Sequence, residues 1–392
     1  MIKITPDVNV YFPLKLKPRK EQLDSLEFIK KNINNGKKFF LLNSPTGTGK
    51  SYLTMLFITY YKNFIDNNAK FDIITNSKIL QKQYIKDYPF INNFEGRSNY
   101  YCDPYSCSVD RGKEICKVLG PHCGTICPYE EAKELWKKSD VGLTNFHLFN
   151  TLALYVRNIF QDRQSSVLII DEAHGFEETF CSFISVDLCA KSLKKYGFEL
   201  KTIDEYDQKF TRIKTIDHFV GFLKNGFISE VEELKKVFDE KIKNSTPKQR
   251  QEFSKYSEHC GSQILKFKYL VEEYDKKHSN WILDITKPKD KMYTVLLEAK
   301  PVWGNDYIKE KIFDKYDHVL FMSGTILNQN LFSYINGINT DESSYFEIPS
   351  PFSIKNRPVY YLKLGKMTMD QKEESFKNQI PYIKKILKKY SD

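Results

Sequence analysis

The stretch SPTGTGKS, residues 44–51, has the residue types needed to hold a nucleotide phosphate. Glycines let backbone N–H groups wrap a phosphate at a helix N-terminus. In this pattern Lys50 would bridge the β- and γ-phosphates and Ser51 would ligate Mg2+. Ser44 stands where the usual pattern has its first glycine. The candidate cradle is Ser44, Pro45, Thr46, Gly47, Thr48, Gly49, Lys50 and Ser51. A second group, Asp171-Glu172-Ala173-His174, ends the apolar run VLII. Asp171 would hold Mg2+ and Glu172 would polarise the attacking water. Two acids after a strand usually belong to a helix cap. Some 120 residues beyond Ser51 and directly after an apolar run, they read as a hydrolysis pair. Lys50, Asp171, Glu172 and His174 form the candidate catalytic set.

Five cysteines, Cys102, Cys107, Cys116, Cys123 and Cys127, fall within 26 residues. In a chain that opens without a secretory pattern, such a cluster points to metal or iron–sulfur ligation before disulfides. Four thiolates suit zinc or an iron–sulfur cluster equally by ligand type. His122 is a further candidate donor, although a lone histidine beside a cysteine is more often a loop residue. Cys181, Cys189 and Cys260 are scattered and read as small buried hydrophobes.

The elements around these groups must bring them together. Residues 39–43, 71–75, 141–145 and 167–171 are short apolar runs that read as buried strands. Helical patterns over 52–63 and 77–87 lie between them. Strands alternating with helices predict an α/β fold with a parallel sheet. The stretch from Asn93 to Glu130 breaks this rhythm with Cys, Gly, Pro and Asn, as a small ligand-stapled insert would. Residues 179–299 read as an inserted helical domain, with a capping box at Thr246 to Gln249. Strand patterns return over 318–325 and 357–362. A basic amphipathic helix over 375–389 is expected to kink or restart at Pro381.

The chain of 392 residues has 57 aromatic side chains, which excludes a disordered protein. Lys and Arg number 60 against 50 Asp and Glu, a net +10 that favours a polyanionic partner. No apolar run approaches the ~20 residues needed to span a bilayer, so no membrane partner is expected. The expected location is cytoplasmic. The Lys-, Asn- and Ile-rich composition suits an AT-rich genome, such as that of a virus or phage.

In order, the phosphate loop, the DEAH box and the later Ser323-Gly324-Thr325 resemble a superfamily 2 helicase. The cysteine cluster between loop and box resembles that of the XPD/DinG-like iron–sulfur DNA helicases. The resemblance implies a RecA-like motor domain built from 1–92, 138–178 and 300–345. It also implies an iron–sulfur insert over 93–137, a helical arch-like insert over 179–299, and the start of a second motor domain over 346–392. It makes Arg19 and Gln22 part of the adenine-reading element. Residues Thr75, Asn76 and Ser77, through to Gln81, then contact single-stranded DNA, and Ser323, Gly324 and Thr325 couple hydrolysis to DNA movement. Thr144-Asn145 resembles the loop after the cluster, although Phe146-His147 departs from the common Asn-His order. Cys102, Cys116, Cys123 and Cys127 become the ligands of a 4Fe–4S cluster, with Cys107 spare and zinc as the alternative.

The implied activity is ATP- and Mg2+-dependent 5′→3′ unwinding of single-stranded or forked DNA. Only 67 residues follow Thr325, and none carries the arginine-finger motif of a second motor domain. The chain therefore reads as the front part of a helicase, with a separate chain as candidate partner for the rest. The competing expectation is a non-unwinding module that binds single-stranded DNA or protein and has a vestigial ATP site.

Overall fold

Runs of aliphatic and aromatic residues form strands buried on both faces, as parallel sheets require. A computed structural model of the protein describes residues 17–120, 127–156, 158–287, 294–326, 328–353, 361–366 and 368–389. The chain divides into two compact units, Met1–Pro349 and Ser350–Asp392.

The first unit is built on seven parallel strands: β1 (Phe39–Asn43), β2 (Phe71–Thr75), β3 (Asn92–Asn93), β6 (Val141–Asn145), β7 (Val167–Asp171), β11 (His318–Ser323) and β12 (Ser343–Glu347). Their order is β12-β1-β11-β7-β2-β6-β3, with every pair parallel. The four strands expected between residues 39 and 171 form with the expected bounds. Alternate residues feed two cores. Phe39, Leu41, Leu168, Ile170, Val319 and Phe321 enter one, and Phe40, Leu42, Val167, Ile169, Leu320 and Met322 enter the other. Three helices flank the strands that matter most for the site: α1 (Lys20–Asn34), α2 (Lys50–Phe64) and α3 (Lys78–Asp87). This α/β, RecA-like sheet is the expected fold class. Strand β12, which pairs with β1 at the sheet edge, was not expected.

Between β3 and β6 lies the cysteine-rich insert. It contains a two-stranded ladder, β4 (Tyr101–Cys102) with β5 (Cys107–Ser108), and two helices, α4 (Val109–Leu119) and α5 (Pro128–Lys138). Phe94 packs against Tyr129 and Trp136 of α5 at ring-centroid distances of 5.1 and 5.8 Å, which ties the insert to the sheet. A buried arginine reinforces this join. Arg163 Nε lies 2.6 Å from Asp72 Oδ1, Nη2 donates to Phe71 O at 2.9 Å, and the guanidinium stacks over Trp136. Tyr316 Oη donates to the other Asp72 oxygen at 2.8 Å.

Residues 179–299 are mainly helical, and Pro247–Lys276 forms a 30-residue helix. Its expected capping box forms, with the Thr246 N–H donating to Gln249 Oε1 at 3.1 Å. The same region also supplies a three-stranded antiparallel sheet. Its strands are β8 (Val186–Leu188), β10 (Leu296–Pro301) and β9 (Trp281–Thr286), in that order. Reading it as helical throughout missed these strands. β8 has three residues, and its partners lie about a hundred positions away. The long helix reaches the insert, where Gln251 Nε2 donates to Tyr105 O at 2.9 Å.

In the second unit, the helix Lys372–Lys389 runs through Pro381 without a restart. Of the strand expected over 357–362, residues 357–360 lie outside the described residues, and 361–362 are not in a strand.

Candidate nucleotide site

The carboxyl ends of β1, β2, β6, β7 and β11 lie on one edge of the sheet, where α/β folds place their ligands. From β1 the chain enters the 44–51 loop. Gly49 caps α2 with φ 77°, and a Cβ there would lie 2.5 Å from Gln22 Nε2. Only glycine fits both the left-handed turn and this close approach. Ser44, the departure from the usual glycine, is fully buried. Its Oγ lies 2.6 Å from Thr48 Oγ1, and Thr48 Oγ1 donates to Pro45 O at 2.8 Å. These hydroxyls brace the loop from inside.

Lys50 Nζ lies 3.0 Å from Glu172 Oε1, which joins the loop to the DEAH segment. Asp171, at the end of β7, is only 3% exposed. Its Oδ1 accepts from the Glu172 N–H at 3.0 Å and its Oδ2 from Tyr84 Oη at 3.2 Å. Burial pushes the Asp171 carboxyl up to about 6, opposed by Lys50 and assisted by Glu172. Glu172 itself has φ 55°, a left-handed backbone that is costly outside glycine. That turn directs its side chain back to Lys50. The oxygen donors at Ser51 and Asp171 are of the kind Mg2+ prefers.

His174 Nδ1 lies 2.8 Å from Ser323 Oγ, and Ser323 Oγ accepts from the Thr325 N–H at 3.2 Å. The DEAH segment and the Ser-Gly-Thr turn thus meet through one histidine. Gly324 lies beside the loop, where a Cβ would sit 3.4 Å from Ser44 O.

Arg19 and Gln22 also reach the loop. Arg19 Nη1 donates to Gly47 O at 2.8 Å. Gln22 is buried, with Nε2 donating to Thr48 O at 3.1 Å and Oε1 accepting from the Arg19 N–H at 3.0 Å. Both ends of its amide are therefore occupied by backbone groups.

Of residues 75–77, Thr75 is buried with its hydroxyl on Ser77 O at 3.2 Å, and Ser77 caps α3. Asn76 is the exposed member. Gln81 on α3 is fully buried between Asn93 and Asn145, at 3.0 and 3.2 Å, linking the ends of β3 and β6. Asn145 also caps the helix that follows β6. Tyr84 was missed by sequence reasoning, since a tyrosine on a helix carries no signal of a partner 87 positions away.

The cysteines gather only partly. Cys102 and Cys107 face each other across β4–β5. Both crowd Gly112 of α4, where a Cβ would lie 2.6 Å from one Sγ and 3.6 Å from the other. Cys107, expected to be spare, is thus the cross-strand neighbour of Cys102. Burial, and then the adjacent Cys102, pushes its thiol up to about 11. Cys116 lies one turn beyond Gly112, and Cys127 caps α5. Cys123 and His122 lie outside the described residues. Among the described residues, no group of three His, Cys, Asp or Glu side chains could hold a metal ion.

Among the described residues, no helix is long and apolar enough to cross a membrane. No curated protein matches the chain. A solved XPD helicase shares the fold, with a TM-score of 0.54, 15% identity, and coverage of 85% of this chain and 63% of that one. A second XPD structure, in its apo form, gives a TM-score of 0.46 at 14% identity, covering 84% and 58%. The chain spans about three fifths of the length of these structures. A family model described as Type III restriction enzyme, res subunit, matches residues 15–215. Family and fold together support a superfamily 2 helicase. The model matches just over half of the chain, and the chain belongs to this ResIII family.

Proposed function

We propose that the chain is the ATP-, Mg2+- and single-stranded-DNA-binding part of an ATP-dependent DNA helicase. The observation that carries this reading is the meeting of Lys50 and Glu172 at 3.0 Å, beside Ser51 and the buried Asp171. In this reading Lys50 bridges the β- and γ-phosphates, and backbone N–H groups of residues 47–51 cradle them. Ser51 and Asp171 would hold Mg2+, which neutralises charge on the transferring phosphoryl group. Glu172 orients and polarises the attacking water. Arg19 and Gln22 brace the loop on the base side. Asn76 and its neighbours meet the DNA strand, and His174, Ser323, Gly324 and Thr325 carry the coupling. A second motor domain would complete hydrolysis and drive 5′→3′ movement. The vestigial-module alternative is disfavoured because Lys50, Ser51, Asp171 and Glu172 are all present.

The experiment is nucleotide binding and hydrolysis by the purified chain, with and without single-stranded DNA. Loss of binding in Lys50→Ala and loss of DNA-stimulated turnover in Glu172→Gln are expected. Unchanged ATP and DNA binding in Lys50→Ala would favour the module. In the same reading Cys102, Cys116, Cys123 and Cys127 would hold a 4Fe–4S cluster, with zinc as the alternative. Iron, sulfide and zinc analysis of protein purified without air tests that reading.

A further inference from the structure

Helix α4 of the insert, the turn Lys194–Tyr196 and the 30-residue helix Pro247–Lys276 border a cavity of about 710 Å3. Its walls carry five cations, Arg111, Lys194, Lys195, Lys248 and Lys255, against two carboxylates, Glu252 and Glu258. None of the five cations forms an ion pair among the described residues. Other lysines of this region do find carboxylates, as Lys235 does with Asp239 at 2.8 Å and Lys268 with Glu232 at 2.6 Å. Glu252 is exposed, so solvent screens its charge. Burial, and then Asp110 and Glu114, pushes the Glu258 carboxyl up toward its neutral form. Cations gathered in this way repel one another unless an anion joins them.

His259 lines the same cavity, with its ring held edge-on by Tyr196 at a centroid distance of 4.5 Å. Its Nε2 is buried and has no hydrogen-bond partner among the described residues. Burial, and then Lys195, lowers the ring to about 4, so at neutral pH it is uncharged and keeps one N–H to donate. Gln251 Nε2 fixes the long helix to the insert through Tyr105 O at 2.9 Å and Ser106 O at 3.2 Å. The cavity volume lies in the ~300–1,000 Å3 range of small-molecule sites. Grooves for single strands instead track a backbone and add several rings for stacking. Here the rings in the lining are Tyr256 and His259. Arg111 presents a planar fork that suits phosphate.

We propose that this cavity is a second anion site, which takes a small anion with two or more phosphate groups, such as a nucleoside triphosphate or inorganic tripolyphosphate. Arg111 would hold it from the insert, Lys194 and Lys195 from the turn, and Lys248 and Lys255 from the long helix. His259 would donate to a phosphate oxygen from Nε2. The ligand would thereby bridge three elements. This site lies apart from the 44–51 loop in sequence and in residues, and it does not depend on the ATP·Mg2+ reading of that loop.

The test is calorimetric titration of the full chain with inorganic tripolyphosphate, on the Lys50→Ala background so that the loop does not contribute. One site per chain is expected there. Adding Lys194→Ala and Lys195→Ala should weaken it at least about tenfold, as loss of hydrogen bonds between charged groups does. Lys248→Ala with Lys255→Ala should do the same, and decides if the first pair does not fold. His259→Phe should weaken binding about 3–10-fold. Lys201→Ala with Lys214→Ala removes the same charge from two exposed lysines outside the cavity, and should leave the affinity within about twofold. No site in Lys50→Ala, or an unchanged one in the folded cavity variants, would overturn the inference. So would oligo(dT) binding that needs the cavity lysines while tripolyphosphate binding does not, since the cavity would then be a strand contact. Wild type should take two tripolyphosphates where the loop reading holds and one where it fails. The cavity variants are read on their own in either case, so failure of the loop reading and failure of this inference are distinct results.

Discussion

Lys50 and Glu172 form an ion pair of 3.0 Å between the start of α2 and the turn after β7. A triphosphate at the loop would compete with Glu172 for this ammonium group. The pair is partly exposed, so its own contribution to stability is small. Its importance lies in keeping both groups at the mouth of the loop, ready to exchange partners. Glu172→Gln should therefore bind ATP as well as wild type, or a few-fold tighter, while hydrolysis falls by about 10²–10⁴. Parallel binding and turnover assays check both halves of this expectation.

Asp171 gives a pH-dependent stability. Its native carboxyl is raised to about 6, first by burial, whereas an unfolded aspartate titrates near ~3.9. A raised acid is a native-state cost that begins as pH rises past the unfolded value and is complete above the native one. Above pH ~7 that cost is about 3 kcal/mol in metal-free protein. Asp171→Asn should raise the melting temperature in EDTA by a few degrees at pH 8, with the gain fading toward pH 4. An equal shift at both pH values would contradict it.

Gln22 separates two roles. Its amide braces the loop through Thr48 O and the Arg19 N–H, so Gln22→Ala should weaken all nucleoside triphosphates alike, by about 5–10-fold. A residue that reads adenine would instead lose ATP selectively. Competition of ATP against GTP in the variant distinguishes them.

Arg163 is fully buried and paired with Asp72, which also accepts from Tyr316. Arg163→Ala leaves that carboxylate without its cation in the core. Denaturant unfolding should reveal a loss of about 3–5 kcal/mol. Arg163→Lys should also destabilise, because one ammonium group cannot reproduce the contacts to Phe71 O, Ser139 O and Asp72 together.

Much of this was legible in the sequence because it is local. β1, β2, β6 and β7 are apolar runs buried on both faces, and such runs announce themselves without knowledge of their neighbours. The 44–51 loop and the Asp171-Glu172 pair are recognisable for the same reason, since their chemistry is carried by adjacent residues. The capping box at Thr246 and Gln249 is a three-residue relation, and it formed as expected. What only the tertiary structure decided are pairings between distant positions. These include β12 at the sheet edge, the antiparallel β8–β10–β9 sheet, Cys107 opposite Cys102, Arg163 on Asp72, and Tyr84 on Asp171. No short window encodes them, because each depends on which faces the folded sheet and helices bring together. The sequence by itself determined β1, β2, β6 and β7, the loop and the candidate acids. Folding decided which hydroxyl, cation and thiol each of them meets, because those contacts exist only once distant elements share a core.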